Sequence, residues 1–152
     1  MHAAMQNPEL DQPWTFKWDV IHFNIGLHDL KFRKSGKRMT PVDTYQKNLL
    51  DIVAYLKTLS PKAKLIFATT TPVPEGERER VAGDGKKFND AALEVMHKCP
   101  EIMINDLYGF TKPKFDIWQV EPGNVHYTRE GQNAQGDEVA RIISAELSKV
   151  KK

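Results

Sequence analysis

The sequence predicts an α/β domain in which a parallel sheet is sandwiched between helices. Three observations carry this. Short apolar runs with apolar side chains on both faces recur near residues 20–25, 64–72 and 101–106. An amphipathic helical pattern follows each run. The resulting order is βαβαβα, so each helix can act as a right-handed crossover between parallel strands. With 152 residues, 40% apolar and 28% charged, the chain has the length and composition of one globular domain with a real core.

Residues 1–17 are polar, contain two prolines and read as an N-terminal arm; the domain is expected over 18–150. From Trp18 the character changes. Val20, Ile21, Phe23 and Ile25 form a short run ending at Gly26, as in a parallel strand covered on both faces. A basic loop follows (Lys31, Arg33, Lys34, Lys37, Arg38), which reads as a solvated loop or as an attractor of anions. Thr40, Pro41 and Asp43 then supply a helix start: an N-cap, a proline at the first helical position and an acid in the first turn. Val42, Tyr45, Leu49, Ile52, Val53, Leu56 and Leu59 repeat at helical spacing, and Pro61 ends the helix. Lys47, Asp51 and Lys57 face water.

The second buried strand is KLIFATTTP, from Lys64 to Pro72, followed by a charged loop, PVPEGERERVAGDG. The next helix is KKFNDAALEVMHKC, with Phe88, Ala91, Ala92, Val95, Met96 and Cys99 on one stripe. EIMIND, from Glu101 to Asp106, is the third strand. A long loop then leads to Thr128, the expected N-cap of a last helix that buries Val139, Ile142, Ile143, Leu147 and Val150.

The bulk numbers exclude several functional classes. A net charge of +2 demands neither nucleic acid nor an anionic membrane. One cysteine, Cys99, rules out an intrachain disulfide and a cysteine-rich zinc site. No apolar run reaches membrane-spanning length. The N-terminus lacks the apolar core of a secretory signal, so the default location is the cytoplasm; a parent protein's true start would be hidden if the chain is a fragment. No cofactor is expected.

In open α/β sheets ligands bind beyond the carboxyl ends of the strands. NIGLHDL, TTTPVPEG and the loop through GNVHYTREG all gather at that rim, the first and third bringing His28 and His126. DVIHFNIGLHDL resembles the third conserved block of the SGNH/GDSL hydrolases, a strand followed by Gly-x-Asn-Asp. GNVHYTREG resembles their fifth block, Asp-x-x-His before a glycine and a helix. TTTPVPEG, the helix containing FN, and INDLY also fall in the family's order, and the closest likeness is to bacterial members with GLHD. The resemblance implies a three-layer α/β/α, flavodoxin-like sandwich whose first strands are missing here. It implies ester hydrolysis with His126 as general base and Gly26 as the third-block glycine.

The departures from the pattern shape the expected site. His28 stands where the family has its oxyanion asparagine, and an imidazole N–H can donate to a developing oxyanion. Asn24 is a second candidate donor. Gly123 replaces the fifth-block aspartate, leaving Asn124, Glu121, Asp116 or a backbone carbonyl to orient the imidazole. No Gly-Asp-Ser block is present, and among Ser35, Ser60, Ser144 and Ser148 only Ser35 falls near the site as a nucleophile candidate. Trp118, Asn124 and Thr71 are candidate substrate contacts, Trp118 either stacking a sugar or acyl group or acting as a hydrophobic lid. His22, in mid-strand, reads as a hydrogen-bonded core histidine. His22, His28 and His126 lack zinc spacing, and no metal is expected.

The expected function is hydrolysis of small carboxylic esters, acetylated carbohydrates among them. Its nucleophile would be Ser35, an activated water or a group on a partner. The alternative is a catalytically impaired relic that serves as a binding or oligomer-forming module. An open edge along residues 18–25 invites pairing, so a homodimer is expected through that edge. Coverage by residues 1–17, with Trp14 and Phe16, is the other solution.

Overall fold

A computed structural model of the chain describes residues 17–150, without the side chain of Val150. The arm over 1–16, with Trp14 and Phe16, lies outside the described residues. Three strands, β1 (Val20–Asn24), β2 (Lys64–Ala68) and β3 (Met103–Asn105), form a parallel sheet in the order β1-β2-β3. Helix α1 (Val42–Leu59) connects β1 to β2 and α2 (Asp84–Met96) connects β2 to β3. The last helix, α5 (Arg129–Val150), lies against β1.

Alternation along the strands assigns the two faces. Leu65 and Phe67 point into the main core, where they join Tyr45, Leu49, Val53 and Leu56 of α1. Phe88, Ala92, Val95 and Met96 of α2 complete it. Phe67 and Phe88 are fully buried, each contributing roughly 1.5–3 kcal/mol by leaving water. The opposite face carries His22, Ile66 and Asn105. His22 Nε2 lies 3.1 Å from Asn105 Nδ2, the bond expected of a core histidine, and burial lowers the His22 pKa.

Four sequence expectations change. Helix α1 starts at Val42, not Pro41: Pro41 keeps an extended backbone (φ −57°, ψ 151°) and no side chain caps the helix. The "loop" after β3 contains α3 (Leu107–Thr111), a 3-10 turn (Lys112–Lys114) and α4 (Phe115–Trp118). The cause is local, since Asp106 accepts from Gly109 N and caps α3, while Pro113 starts the 3-10 turn. Cys99 ends its stripe only half-buried. In α5, Val139, Ile142, Ile143 and Leu147 are likewise only half-buried. The described residues do not close over that face, and β1 is paired along one edge only among them. Thr128 does cap α5, its Oγ1 accepting from Gly131 N at 3.3 Å.

Candidate functional site

The carboxyl ends of the strands are knitted together before any functional group is placed. Thr69 N donates to Asn105 O at 3.0 Å, extending the β2–β3 ladder. Asn89, the asparagine of FN, accepts from Thr70 N at 2.8 Å and donates to Thr70 O at 2.9 Å. Its amide thus stands in for a neighbouring strand. The Tyr45 hydroxyl donates to Ile25 O at 2.7 Å and pins the turn after β1; burial, then the charge of Asp29, raises its pKa. Gly26 is required at this turn. Its φ is 148°, and a Cβ would stand 3.1 Å from the Tyr45 hydroxyl and 3.4 Å from Thr70.

His126 rides on a short antiparallel bridge, Gln119 to Tyr127, with Val120 N donating to His126 O at 3.1 Å. Glu121-Pro122-Gly123-Asn124 closes that bridge as a type II turn: proline second, glycine third at φ 79°, and Asn124 N donating to Glu121 O at 3.2 Å. The family's aspartate position is therefore a turn glycine. An L side chain there is strained by φ, and its Cβ would press 3.3 Å from Gly76 O.

The next residue, Asn124, makes the contacts to His126. Asn124 Oδ1 accepts from His126 N at 2.9 Å and faces His126 Nδ1 at 2.8 Å, while Asn124 Nδ2 donates to Glu121 Oε1 at 3.2 Å. Because Oδ1 already accepts a backbone N–H and Nδ2 donates to a carboxylate, the amide orientation is fixed. Nδ1 must then carry a proton and donate to Oδ1, so that in the neutral ring the lone pair is on Nε2. The ring is exposed.

His126, Asn124 and Gly123 line a cleft of about 880 Å³ together with Leu27, His28 and Lys31 from the turn after β1. Its third wall is the loop after β2, and the residue there that sequence reading missed is Arg80. The Arg80 side chain is 4% exposed, with Nε donating to Leu27 O at 2.9 Å and Nη1 to Glu77 Oε1 at 3.1 Å. It rivets the β2 loop to the GLHD turn. GERER looks like a solvated charge run, and no periodicity marks the one buried member.

The structure brings His28 and His126 to one cleft and sets the Asn124 amide against the His126 ring. It separates the other candidates. Both N–H groups of the Asn24 amide are taken, by Ala68 O at 2.8 Å and Thr69 O at 3.0 Å, so Asn24 ties β1 to β2 rather than donating to an oxyanion. Ser35 sits at the exposed tip of a hairpin in which Phe32 pairs with Arg38, away from the cleft lining. Thr71 is buried, its hydroxyl beside that of Tyr127, and is not on the cleft wall. Trp118 is 8% exposed and packs with Phe115 and Tyr127, which leaves its ring little open face for stacking.

Two of the five basic side chains of the loop, Lys31 and Arg38, are paired. Arg38 bonds Asp84 and Leu30 O and lies over the Phe32 ring, and Lys31 pairs with Glu79, holding that carboxylate below its ordinary range. Among the described residues no group of three or more His, Cys, Asp or Glu is placed to hold a metal, and no helix is long and apolar enough to cross a membrane.

Comparison with known proteins places this arrangement among relatives. No family model matches the chain. A GDSL esterase/lipase of Arabidopsis thaliana is 28% identical over 142 residues, covering 84% of this chain and 58% of the relative. A second from the same plant is 25% identical over 140 residues, covering 82% and 58%. Among solved structures, a lipase/acylhydrolase from Enterococcus faecalis superposes with a TM-score of 0.69 at 22% identity, over 84% of this chain and 62% of that one. A GDSL-like lipase from Parabacteroides merdae gives 0.65 at 15% identity, over 79% and 57%. The sequence likeness is to plant proteins and the fold likeness to bacterial ones, and the chain spans about 58% of the length of the curated relatives it matches.

Proposed function

We propose that this chain, which is similar to GDSL esterases/lipases, hydrolyses carboxylic esters with His126 as the general base. The observation that carries the reading is the Glu121–Asn124–His126 relay on the wall of an open cleft, which directs Nδ1 to Asn124 and leaves Nε2 as the nitrogen for proton transfer. His28, on the facing turn, is the side chain suited to donate to the oxyanion, with the Gly26 backbone behind it. A neutral amide orients the base but lacks the charge with which a carboxylate stabilises the imidazolium, so turnover is expected to be slow. Among the described cleft-lining residues none carries a hydroxyl or thiol, so the attacking group is a water deprotonated by His126 or a hydroxyl or thiol from outside that set. Acetylated carbohydrates are a weaker match than simple esters, because Trp118 offers no stacking face.

The test is p-nitrophenyl acetate hydrolysis by the purified chain against a buffer blank. Wild type is expected to exceed the blank, and Ser35→Ala is expected to equal wild type; a Ser35→Ala loss would return the nucleophile to the hairpin. The missing hydroxyl also favours a second reading, a binding or oligomer-forming module that keeps the cleft without turnover, and activity equal to the blank selects it.

We also propose a homodimer through β1. Its support is the edge of Val20–Asn24, unpaired among the described residues, and the half-exposed apolar residues of α5 beside it. Light scattering at tens of micromolar should give twice the chain mass, and a stable monomer would remove the proposal.

A further inference from the structure

The loop after β2 places four consecutive charged residues, Glu77-Arg78-Glu79-Arg80, on the wall of the His126 cleft. Three of them are committed to partners. Arg80 holds Leu27 O and Glu77 Oε1. Glu77 uses its other oxygen as well, Oε2 accepting from Glu79 N at 2.9 Å. Glu79 Oε2 pairs with Lys31 Nζ at 2.6 Å, and Glu79 O accepts from Phe32 N at 2.7 Å. Arg78 lies between these anchors, so its backbone is fixed on both sides. Its side chain is exposed and has no partner among the described residues. The two carboxylates that flank it in sequence, which would otherwise quench its charge, are already held by other cations. On the wall that carries His126, Glu121 meets the Asn124 amide but no cation among the described residues. The cleft is therefore polarised, with a free guanidinium on one wall and an uncompensated carboxylate on another.

From this arrangement we propose that Arg78 makes the His126 cleft selective for esters that also carry an ionised carboxylate. The inference rests on the ester-hydrolase reading and adds a charge requirement to it. A guanidinium presents a planar fork that matches a carboxylate, and a fixed backbone lowers the cost of ordering it. The other cleft cations are not free for this role. Lys31 would have to leave Glu79, and Arg80 would have to leave Leu27 O and strip a half-buried Glu77 of its cation. Glu121 sets the orientation, since it repels the anionic end of the ligand and leaves the neutral ester end to the wall of the base.

Binding, not turnover, is the test, so that it stands apart from the hydrolysis assay. Monomethyl succinate, an anion at neutral pH, and dimethyl succinate, its neutral counterpart, are titrated into the full chain at low salt while backbone amide shifts are followed by NMR. One exposed ion pair corresponds to about a threefold to fivefold preference for the anion. Shifts should centre on the cleft, at 27–31, 76–80 and 121–126. Added salt should erode the preference by screening the pair. Arg78→Gln should bind the two esters equally, and Arg78→Glu should reverse their order. Lys34→Gln, on the exposed hairpin tip outside the cleft lining, should keep the wild-type preference. Equal binding of the two esters by wild type, no cleft shifts with either ester, or a preference that survives in Arg78→Gln would each overturn the proposal. An Arg78-dependent preference for the anion without hydrolysis would leave the charge selection standing and remove only the catalytic reading.

Discussion

His126→Ala is expected to lower p-nitrophenyl acetate hydrolysis by about 10²–10⁴-fold, toward the buffer blank. That is the range a positioned general base supplies. The ring is exposed and its side-chain bond is to Asn124 alone, so the substitution removes little packing. Circular dichroism and the thermal midpoint should match wild type, which separates loss of chemistry from loss of fold. Unchanged activity in the variant would show that the hydrolysis arises elsewhere in the molecule.

The largest stability effect is expected at Arg80. Arg80→Ala leaves the Glu77 carboxylate, whose side chain is 11% exposed, without its cation and removes the donor to Leu27 O. Breaking a buried pair by deleting one partner costs roughly 3–5 kcal/mol, because the remaining charge stays desolvated. Urea unfolding at neutral pH should show a midpoint shift of that size. Arg80→Lys should recover part of it, since an ammonium can reach one acceptor but cannot hold Leu27 O and Glu77 together. A loss below about 1 kcal/mol in Arg80→Ala would mean that the loop after β2 is held by other contacts. Exposed pairs such as Lys86–Asp90, by contrast, should be near neutral on deletion.

The sequence made the layered architecture legible because burial there follows period. Leu65 to Ala68 and the Phe88–Met96 stripe lie in the core as their spacing requires. The place of His126 at the carboxyl rim was legible from its neighbours, and Thr128 from its place before a helical pattern. What escaped was set by contacts between distant segments. Arg80 is buried only because Leu27 O and Glu77 converge on it. Asn24 loses its donor role because two carbonyls at the end of β2 lie within reach. The half-exposed stripe of α5 has helical periodicity, which states which residues share a face but not whether anything covers that face. The turn at 121–124 was readable in principle, since Pro-Gly at its centre specifies a type II turn and hence a glycine where an acid would stand.

That turn constrains any attempt to redesign the base. Putting aspartate at 123 forces a side chain into a left-handed backbone and against Gly76 O. Moving the acid to Asn124→Asp keeps the acceptor for His126 but sets a second carboxylate against Glu121, where the amide now donates. The economical route is an exchange of roles: Asn124→Asp together with Glu121→Gln. The hydrogen-bond chain would keep its members and reverse its polarity, an amide now donating to an acid that in turn faces the imidazole. The negative charge would move one step closer to the ring with no net change in the charge of the protein.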